Sequence, residues 1–445
     1  MMPTALEIYQ KLPKTNCGDC GVPTCLAFAM QLANQKVSLD KCPHVSEEAK
    51  EFLAASAAPP IRLVKIGTGD KTVEIGDETE LFRHEKKFFH PTAYALMVDD
   101  TSSPDERKQK IESLKSLTFD RVGQIMSMDM VGVRASSNDP ATFASVIQEV
   151  SSQTDLPLLL ISENPDVMSQ AAKAVADKKP LLHAATPENW ERMTEIAKET
   201  GCPLVVHETT SLDNLADLTE KVKGAGVEDI VLDFGTKNLG DMLRNLTIIR
   251  RLSVKKKFRP LGYPTFVFAE GNLNEAGIVA ALGTMKYASL VAFHEVDVPL
   301  MYPLFALRQN IYTDPQKPIQ VKPGIYEIGS PTPESPVLIT TNFSLTYFTV
   351  SGDIETSKVP SYLLVADSEG LSVMTAFAAD KFNAEIATDL VKECGIEEKV
   401  SQKKIIIPGQ VSRMSGKLQE KSGWEVIVGP RDSSGLPKFL KDRAI

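Results

Sequence analysis

Residues 157–208, PLLLISENPDVMSQAAKAVADKKPLLHAATPENWERMTEIAKETGCPLVVHE, alternate short apolar runs with longer amphipathic segments. The apolar runs at 157–162, 180–185 and 203–208 each begin with Pro and are mainly aliphatic, which is typical of buried parallel strands. The segments between them carry apolar residues at helical spacing, and Gly201 follows the second one, as Gly commonly follows a helix. This part of the chain therefore predicts two strand–helix units and a third strand.

The same alternation continues on both sides of this segment. Between Pro91 and Asp314 the sequence contains eight apolar runs that predict strands, at 93–98, 129–135, 157–162, 180–185, 203–208, 228–234, 264–269 and 289–294. No G-x-G-x-x-G motif follows the first run, which disfavours a dinucleotide-binding open sheet. Eight strand–helix units within roughly 220 residues predict a closed (β/α)8 barrel, the TIM barrel.

The segments that flank the barrel predict two connections and a second α/β domain. Residues 59–90 combine strand-like residues with G-D turns and predict a linker with a hairpin that caps the barrel. Residues 315–336 are rich in Pro and Gly and predict a second linker. Helices near 380–395 and 412–423 accompany four more apolar runs, which together predict a small open α/β sheet. These runs lie at 337–342, 362–367, 404–409 and 425–430.

Four of the six cysteines lie in the first tenth of the chain and follow the pattern C-x2-C-x4-C-x16-C. They are Cys17, Cys20, Cys25 and Cys42. Thiolates at this spacing predict a metal or iron–sulfur site, and Gly18 and Gly21 let the backbone fold closely around it. Residues 1–14 lack the features of a secretory signal, which disfavours a disulfide framework. Structural zinc stays open as an alternative, although zinc sites usually pair two C-x2-4-C knuckles.

The sequence therefore predicts a multidomain α/β protein. The predicted segments are an iron–sulfur module at 1–58, the linker and cap at 59–90, the barrel at 91–314, the linker at 315–336 and the C-terminal sheet at 337–445.

Composition narrows the possible partners of this chain of 445 residues. The net charge is −9 and the only basic run, Lys255–Lys257, is isolated, so we expect no nucleic-acid binding. No stretch of about 18 uncharged apolar residues occurs, so we expect no membrane span. Clustered cysteines suit a reducing compartment, which makes the cytoplasm the expected location.

Polar residues follow most of the predicted barrel strands, at the end where barrels carry their chemistry. They are Asp99, Asp100, Glu163, Asn164, His183, His207, Glu208, Asp233, Glu270, His294 and Glu295. One hypothesis is acid–base catalysis by His207 and Glu208 beside Asp233. Adjacent strand residues point to opposite faces, however, and no nucleophile accompanies them. The favoured interpretation is a rim that binds loop amides or meets a partner.

The C-terminal sheet offers a second set of loops, because ligands of open α/β sheets bind beyond the carboxyl ends of the strands. These loops are rich in Gly, Ser and Thr and poor in charge, and they lie at 340–342, 370–375, 408–409 and 429–437. Such loops suit a large amphipathic ligand that is held by backbone and hydroxyl groups. Ordinary turn chemistry is the alternative explanation for this composition.

Four C-terminal segments, the cysteine motif and the eight-unit domain together resemble one known family. The segments are TTNFSLTYFTVSG at 340–352, GLSVMTAFAADKF at 370–382, PGQVSRMSG at 408–416 and VGPRDSSGLPKF at 428–439. They are similar to the large (gamma) subunit of corrinoid iron–sulfur proteins, whose archaeal relatives belong to the acetyl-CoA decarbonylase/synthase complex. The resemblance spans the whole chain.

This resemblance implies a 4Fe-4S module, a TIM barrel and a C-terminal domain that binds a cobalamin-type corrinoid. It also implies a methyl carrier of the reductive acetyl-CoA (Wood–Ljungdahl) pathway. Cobalt, as Co(I), would take a methyl group from methyltetrahydrofolate bound to a separate methyltransferase and deliver it to acetyl-CoA synthase. The implied partners are a small subunit that completes a heterodimer, the methyltransferase, acetyl-CoA synthase/CO dehydrogenase and a reductive activator.

The resemblance also assigns residues to the two cofactors. The four cysteines of the motif would ligate the cluster, and the reaction at cobalt would need no catalytic side chain. Residues carried over as corrinoid contacts are Thr340, Thr346, Gly370, Leu371, Ser372, Val373 and Ser433. Thr375 lies near the expected lower-face loop, and we hypothesise a water-mediated contact between its hydroxyl and cobalt.

All six histidines precede residue 295, so the predicted C-terminal domain contains none. The D-x-H-x-x-G pattern that supplies a lower histidine ligand in many corrinoid proteins is therefore absent, and we expect a base-off corrinoid. Weak axial ligation favours Co(I), and the cluster would supply the electron that restores Co(I) from Co(II). Two alternatives stay open: a methyltransferase whose barrel rim (Asp99, Asn164, Asp233) binds a pterin, and a zinc-containing scaffold without corrinoid.

Overall fold

The computed structural model describes residues 5–33, 37, 39–46, 59–235 and 238–442. Contacts divide the chain into two units. The first unit consists of Met1–Phe82, Phe88–Thr118 and Ser127–Tyr312, and the second of Arg83–Lys87, Phe119–Met126 and Thr313–Ile445. The predicted boundary near residue 58 lies outside the described residues, and the division into five segments stays a prediction.

The cysteine module begins with two short helices, α1 (Ala5–Lys11) and α2 (Cys25–Ala33). A 3-10 turn, Leu39–Lys41, precedes Cys42. The helices pack through a small apolar cluster of their own. This cluster contains Ile8, Leu12, Val22, Cys25, Phe28, Ala29, Cys42 and Val45. The module therefore carries two of its cysteines inside its core.

An antiparallel hairpin occupies the segment predicted as a cap. Its strands are β1 (Val64–Ile66) and β2 (Val73–Ile75), and Val64 pairs with Ile75. Val64, Ile66 and Ile75 are fully buried in the same core as the interior residues of the barrel, including Ala95 and Leu159. The hairpin thus extends the apolar core of the barrel with side chains from outside its strands.

All eight predicted barrel strands are present. They are β3 (Ala93–Asp99), β6 (Met130–Arg134), β7 (Leu158–Ile161), β8 (Leu181–Ala185), β9 (Leu204–His207), β10 (Ile230–Asp233), β11 (Phe266–Ala269) and β12 (Leu290–Phe293). Neighbouring strands pair in parallel in the order β10-β9-β8-β7-β6-β3-β12-β11. A parallel bridge between Leu232 and Thr265 links β10 to the segment before β11 and closes the circle. The TIM-barrel prediction is confirmed.

In the described residues, a helix follows each barrel strand. These helices are α3 (Pro104–Ser113), α4 (Pro140–Gln153), α5 (Pro165–Ala174), α6 (Trp190–Thr200), α7 (Leu212–Gly224), α8 (Leu239–Arg250), α9 (Leu273–Met285) and α10 (Val298–Tyr312). Helices α3, α4 and α5 begin with Pro, whose missing N–H costs nothing in the first turn. Gly201 ends α6 with φ +69°, a left-handed conformation that favours Gly. Among the described residues, no helix is long and apolar enough to cross a bilayer.

A second hairpin, β4 (Phe119–Arg121) and β5 (Gln124–Met126), is inserted between α3 and β6. Although it interrupts the barrel sequence, it belongs to the second unit. Its turn residue Gly123 lies so close to Phe348 that an added Cβ would stand 2.9 Å from the ring.

The C-terminal sheet contains the four predicted strands and one more. The strands are β13 (Gly324–Ile328), β14 (Val337–Thr341), β15 (Ser361–Ala366), β16 (Lys404–Ile407) and β17 (Glu425–Val428). Their order is β13-β15-β14-β16-β17, and all neighbours are parallel except β13, which runs antiparallel to β15. The segment 315–336, predicted as a linker, thus contributes an edge strand. Tyr326 and Ile328 attach it to the sheet by packing into one of its two apolar cores.

Helices cover both faces of this sheet. They are α11 (Ser344–Ser357), α12 (Val373–Ala378), α13 (Ala384–Glu393), α14 (Ser415–Ser422) and α15 (Leu436–Asp442). Helices α13 and α14 confirm the two predicted ones, whereas α11 was not predicted. Its sequence is rich in Ser, Thr and aromatic residues and contains Gly352, so its intrinsic helix propensity is low. Burial of Ile354 against the sheet stabilises it instead.

We predict that Gly76→Ala destabilises the capped barrel more than Gly69→Ala does. Both glycines lie in the hairpin cap with positive φ, +91° and +67°, so alanine is strained at either position by about 1–2 kcal/mol. At Gly76 the new Cβ would also stand 2.0 Å from the carbonyl oxygen of Arg62, whereas nothing lies within 4 Å at Gly69. Overpacking adds about 1–3 kcal/mol. Thermal unfolding followed by circular dichroism should show the larger drop in midpoint for Gly76→Ala. Equal drops would contradict the close backbone approach.

Candidate cofactor-binding sites

The C-terminal sheet contains a cavity at its topological switch point. Strand β14 pairs with β15 on one side and β16 on the other. The connection after β14 therefore leads to one side of the sheet, and the connection after β15 leads to the other. Such a point opens a crevice beyond the carboxyl ends of the strands. Here the crevice is a cavity of about 500 Å³, bordered by the ends of β14 and β16 and by the loop after β17.

Five of the residues predicted as corrinoid contacts line this cavity. They are Thr340, Thr346, Ser372, Val373 and Ser433. Gly370, Leu371 and Thr375 are not among the lining residues. Leu371 packs against the core of the sheet. The exposed Thr375 shares a hydrogen bond of 3.0 Å between its Oγ1 and Ser372 Oγ. Their assignment as contacts stays a prediction.

The cavity wall is mainly apolar, and much of it was not predicted. Lining residues outside the predicted set include Leu338, Phe343, Leu345, Val350, Met374 and Leu436. Leu345 and Met374 are exposed large apolar side chains, so the wall extends to the surface. Leu338 lies on β14, and the others lie on α11, α12 and α15 or directly before them, so their place in the wall depends on how those helices pack on the sheet.

One polar atom in the wall lacks a partner. Thr340 is 1% exposed, and its Oγ1 makes no hydrogen bond within the described residues. A buried hydroxyl without a partner costs about 1–3 kcal/mol. A ligand that forms a hydrogen bond with this hydroxyl would remove that cost. An apolar cavity with few polar anchors is typical of a small-molecule or cofactor site.

Asn342 holds the neighbouring loop in place. It is buried, and its Oδ1 accepts hydrogen bonds from the backbone N–H of Ser368 (3.0 Å) and Gly370 (3.0 Å) and from Ser368 Oγ (2.8 Å). Its Nδ2 donates to Asp367 Oδ1 (3.0 Å) and Gln320 Oε1 (3.2 Å). Asn342 therefore acts on the cavity indirectly, by positioning the loop that leads to Ser372.

The four cysteines of the motif lie in one small module and are all free thiols. Cys17 is exposed and Cys20 half-buried, whereas Cys25 and Cys42 are each 6% exposed. Gly18 and Gly21 both have φ +80°, and Gly21 N–H donates to the carbonyl of Gly18 at 2.9 Å.

The sulfurs of the motif do not form a compact set of three in the described residues. Bonds of about 2.3 Å would hold the sulfurs around zinc about 3.8 Å apart. Within the described residues, no three of these cysteines have their sulfurs inside 4.8 Å of one another. The geometry and the donor set fit a multinuclear iron–sulfur cluster better than a single ion.

Asp19 and His44 accompany this ligand set. His44 Nε2 lies 2.7 Å from Asp19 Oδ2, and one ligand atom from each of Cys17, Asp19 and His44 falls within 4.8 Å of the others. Hydrogen bonds from His44 and then Cys17 hold the pKa of Asp19 below its usual value. Asp19 lies two residues after Cys17 and His44 two residues after Cys42, so their hydrogen bond joins the segments that carry the first and last cysteines of the motif.

The barrel rim brings His183, His207 and Asp233 together. His183 Nε2 lies 2.9 Å and His207 Nδ1 2.8 Å from the same oxygen, Asp233 Oδ2. Burial alone would raise the pKa of Asp233, but the hydrogen bonds from both imidazoles lower it well below its usual value. Burial lowers the pKa of His207, yet its hydrogen bond with Asp233 and the charge of that carboxylate raise it overall. The predicted neighbourhood of His207 and Asp233 is confirmed.

Other predicted rim residues bind nearby loops. Glu208 Oε1 accepts from Thr210 N–H at 2.5 Å, so Glu208 does not join His207 and Asp233 as the acid–base hypothesis required. Asp100 accepts from Ser137 N–H at 2.8 Å, and Asn164 Oδ1 caps α5 through Asp166 N–H at 3.0 Å. For these residues the favoured interpretation, a rim that binds loop amides, is confirmed.

Known proteins with similar sequences cover nearly the whole chain. The family model "CO dehydrogenase/acetyl-CoA synthase delta subunit" matches residues 63–440, and the model "Putative Fe-S cluster" matches residues 12–44. The corrinoid/iron-sulfur protein large subunit of Moorella thermoacetica is 49% identical over 440 residues, which cover 98% of each chain. The acetyl-CoA decarbonylase/synthase complex subunit gamma of Methanothermobacter thermautotrophicus is 37% identical and covers 99% of each chain.

Solved structures are similar over about half of the chain at low identity. The 7,8-dihydropteroate synthase of Vibrio fischeri is 12% identical and covers 56% of this chain and 99% of its own, with a TM-score of 0.40. A likeness at that score supports no conclusion about function. The sequence relatives show the family. The chain belongs to the family of corrinoid/iron-sulfur protein large subunits, which includes the gamma subunits of acetyl-CoA decarbonylase/synthase complexes.

Proposed function

We propose that this protein is a corrinoid methyl carrier of the reductive acetyl-CoA pathway. It accepts a methyl group from methyltetrahydrofolate through a separate methyltransferase and gives it to acetyl-CoA synthase. The observation that carries the proposal is the cavity at the switch point of the C-terminal sheet, with its apolar wall and the unpartnered Thr340 hydroxyl. Full-length family membership supports it. The protein acts as a transferase only together with the methyltransferase.

The bound corrinoid supplies the metal that carries the methyl group, and a 4Fe-4S cluster supplies the electron that restores its reduced state. The residues that would hold the corrinoid are those of the predicted set that line the cavity: Thr340, Thr346, Ser372, Val373 and Ser433. Thr375 reaches the cavity through its hydrogen bond with Ser372. Gly370 and Leu371 shape the loop behind them.

The cluster would be ligated by Cys17, Cys20, Cys25 and Cys42. Cys25 and Cys42 lie in the apolar cluster of the module, while Cys17 is exposed. The ligand set therefore runs from a dry core to the surface. That arrangement supports electron exchange with another protein, because one end of the set is accessible and the other is shielded from solvent.

We propose a base-off corrinoid without a histidine ligand from residues 337–445, which contain no histidine. The second unit does include one histidine, His84, because the segment Arg83–Lys87 belongs to it. His84 is not among the residues that line the cavity. The wall thus offers hydroxyl and backbone groups where other corrinoid proteins offer an imidazole.

The proposed partners follow from this role. They are a small subunit that completes a heterodimer, the methyltransferase, acetyl-CoA synthase/CO dehydrogenase and a reductive activator. We place the protein in the cytoplasm, because all six cysteines are free and the proposed chemistry requires a reducing compartment.

Protein purified without oxygen should contain about four iron atoms and one cobalt atom per chain, as one cubane and one corrinoid require. Its absorption spectrum should show both iron–sulfur and corrinoid bands. A colourless protein with zinc in the cysteine module would contradict the proposal. So would a protein without cobalt that binds methyltetrahydrofolate unaided.

Thr340→Val should weaken corrinoid retention about tenfold, because it removes one hydrogen bond worth about 1.4 kcal/mol without changing the shape of the side chain. Corrinoid absorbance per chain after extended dialysis measures the loss. The matched control is Thr341→Val. Thr341 is 0% exposed and its hydroxyl is also unpartnered, but it does not line the cavity. Neither variant should lower the midpoint of thermal unfolding. Equal retention by both variants would contradict a contact at Thr340.

Cys20→Ala should impair reductive reactivation, because three thiolates hold the cluster poorly. A sample reduced chemically beforehand should still accept a methyl group at the wild-type rate. Methylation assays with and without prereduction separate the two steps. Cys394→Ala provides the control, since Cys394 is equally half-buried and lies outside the motif. Equal loss in both assays would contradict the proposed division of labour.

A further inference from the structure

The barrel contains a cluster of metal-ligating side chains that the methyl-carrier function does not use. His207 and Asp233 are the last residues of β9 and β10, and His183 lies two residues before the end of the next strand, β8. We propose that they form a binding site for one divalent transition-metal ion of the Zn²⁺ class, separate from the corrinoid and the cysteine module.

The distances between the three ligand atoms suit such an ion. Bonds of about 2.0–2.1 Å in a tetrahedral site separate neighbouring ligand atoms by about 3.3–3.4 Å. Asp233 Oδ2 lies 2.9 Å from His183 Nε2 and 2.8 Å from His207 Nδ1, and the ligand atoms of the group all fall within 4.8 Å of one another. The oxygen and each nitrogen would therefore have to move apart by about half an ångström to admit the ion.

The carboxylate is oriented for this role. Asp233 Oδ1 accepts the backbone N–H of Gly235 at 2.9 Å, which turns the other oxygen towards the two imidazoles. Carboxylate ligands of metals are commonly hydrogen-bonded in this way through their second oxygen. Asp233 is 2% exposed, and a buried carboxylate is normally compensated by a cation, by a metal or by hydrogen bonds.

The ring of His183 is held only through the nitrogen that faces the group. His183 is 4% exposed, and its Nδ1 has no hydrogen-bond partner in the described residues. Here the ring is held through Nε2 alone, the nitrogen that faces the group.

The ion would remain accessible to a further ligand. His207 has 23% of its side chain exposed, whereas His183 and Asp233 are closed off. Three protein ligands leave a fourth position for water or a substrate oxygen, as in catalytic zinc sites. Two imidazoles with one carboxylate favour zinc and similar transition metals over Mg²⁺ or Ca²⁺, which prefer oxygen ligands alone.

The test uses the full-length protein with its cluster and corrinoid intact, so that the motif cysteines are occupied. The protein is treated with a chelator and titrated with zinc chloride without oxygen, and bound zinc is counted by mass spectrometry, since iron and cobalt belong to the other cofactors. We expect one zinc per chain, with affinity lowered at least tenfold in Asp233→Asn and His207→Gln. His294→Gln is the matched control, because His294 is a rim histidine outside the group, and it should bind as the wild type does. The proposal would be overturned if the wild type bound no zinc, or if Asp233→Asn bound zinc with the same affinity as the wild type.

Replacing a buried carboxylate can unfold the barrel, so a second measurement uses only the wild type. Crystals soaked in zinc chloride should give an anomalous peak at the zinc edge between His183 Nε2, His207 Nδ1 and Asp233 Oδ2. A peak only at Cys17, Asp19 and His44, or no peak, would mean that the barrel group is a hydrogen-bonded group and not a metal site.

Discussion

Parallel pairing sends the carboxyl ends of neighbouring strands to one edge of a sheet, and the cavity and the barrel group both depend on this constraint. In the barrel it brings together His183, His207 and Asp233, which are separated by up to 50 residues, around one carboxylate oxygen. In the open sheet it aligns the ends of β14 and β16, where the strand order reverses and a cavity opens. The amino ends of the barrel strands meet different requirements. There the hairpin cap adds Ile66 and Ile75 to the apolar core, so stability and chemistry lie at opposite ends of the same strands.

The C-terminal domain contains one buried polar side chain that is fully hydrogen-bonded, Asn342, and one that is not, Thr340. Asn342 satisfies both of its amide atoms with five hydrogen bonds to Gln320, Asp367, Ser368 and Gly370, and so fixes the loop without any ligand. Thr340, two residues earlier, is equally buried but leaves its hydroxyl unpaired in the cavity wall. A fully bonded scaffold beside one unsatisfied group is what preorganised binding requires, because the ligand then meets a fixed wall and adds the missing bond.

Parts of the structure that depend on local sequence could be predicted, and parts that depend on tertiary pairing could not. Each barrel strand is a short apolar run because it is buried on both faces, so all eight were found. Strand β13 was missed because Pro and Gly surround it and its stability comes from antiparallel pairing with β15. The site followed the same rule. The residue types of the cavity loops were predictable, but the apolar part of the wall, which includes Phe343, Leu345 and Met374, depends on how α11 and α12 pack on the sheet. His183 joins Asp233 where the pairing of β8 and β9 is irregular, between Leu182 and Ala185, and such a shift cannot be read from strict alternation.

The polar residues of the barrel rim make two kinds of hydrogen bond, either to the backbone of a loop or to another side chain of the rim. Asp100, Asn164 and Glu208 each bind the backbone N–H of a following loop, so their polar atoms serve to end strands and start helices. His183 on β8 and His207 on β9 instead direct their hydrogen bonds to a single carboxylate, that of Asp233 on β10. Asp233 does both, because its Oδ1 accepts the backbone N–H of Gly235 while its Oδ2 faces the two imidazoles, so one carboxylate holds both the loop after β10 and the barrel group.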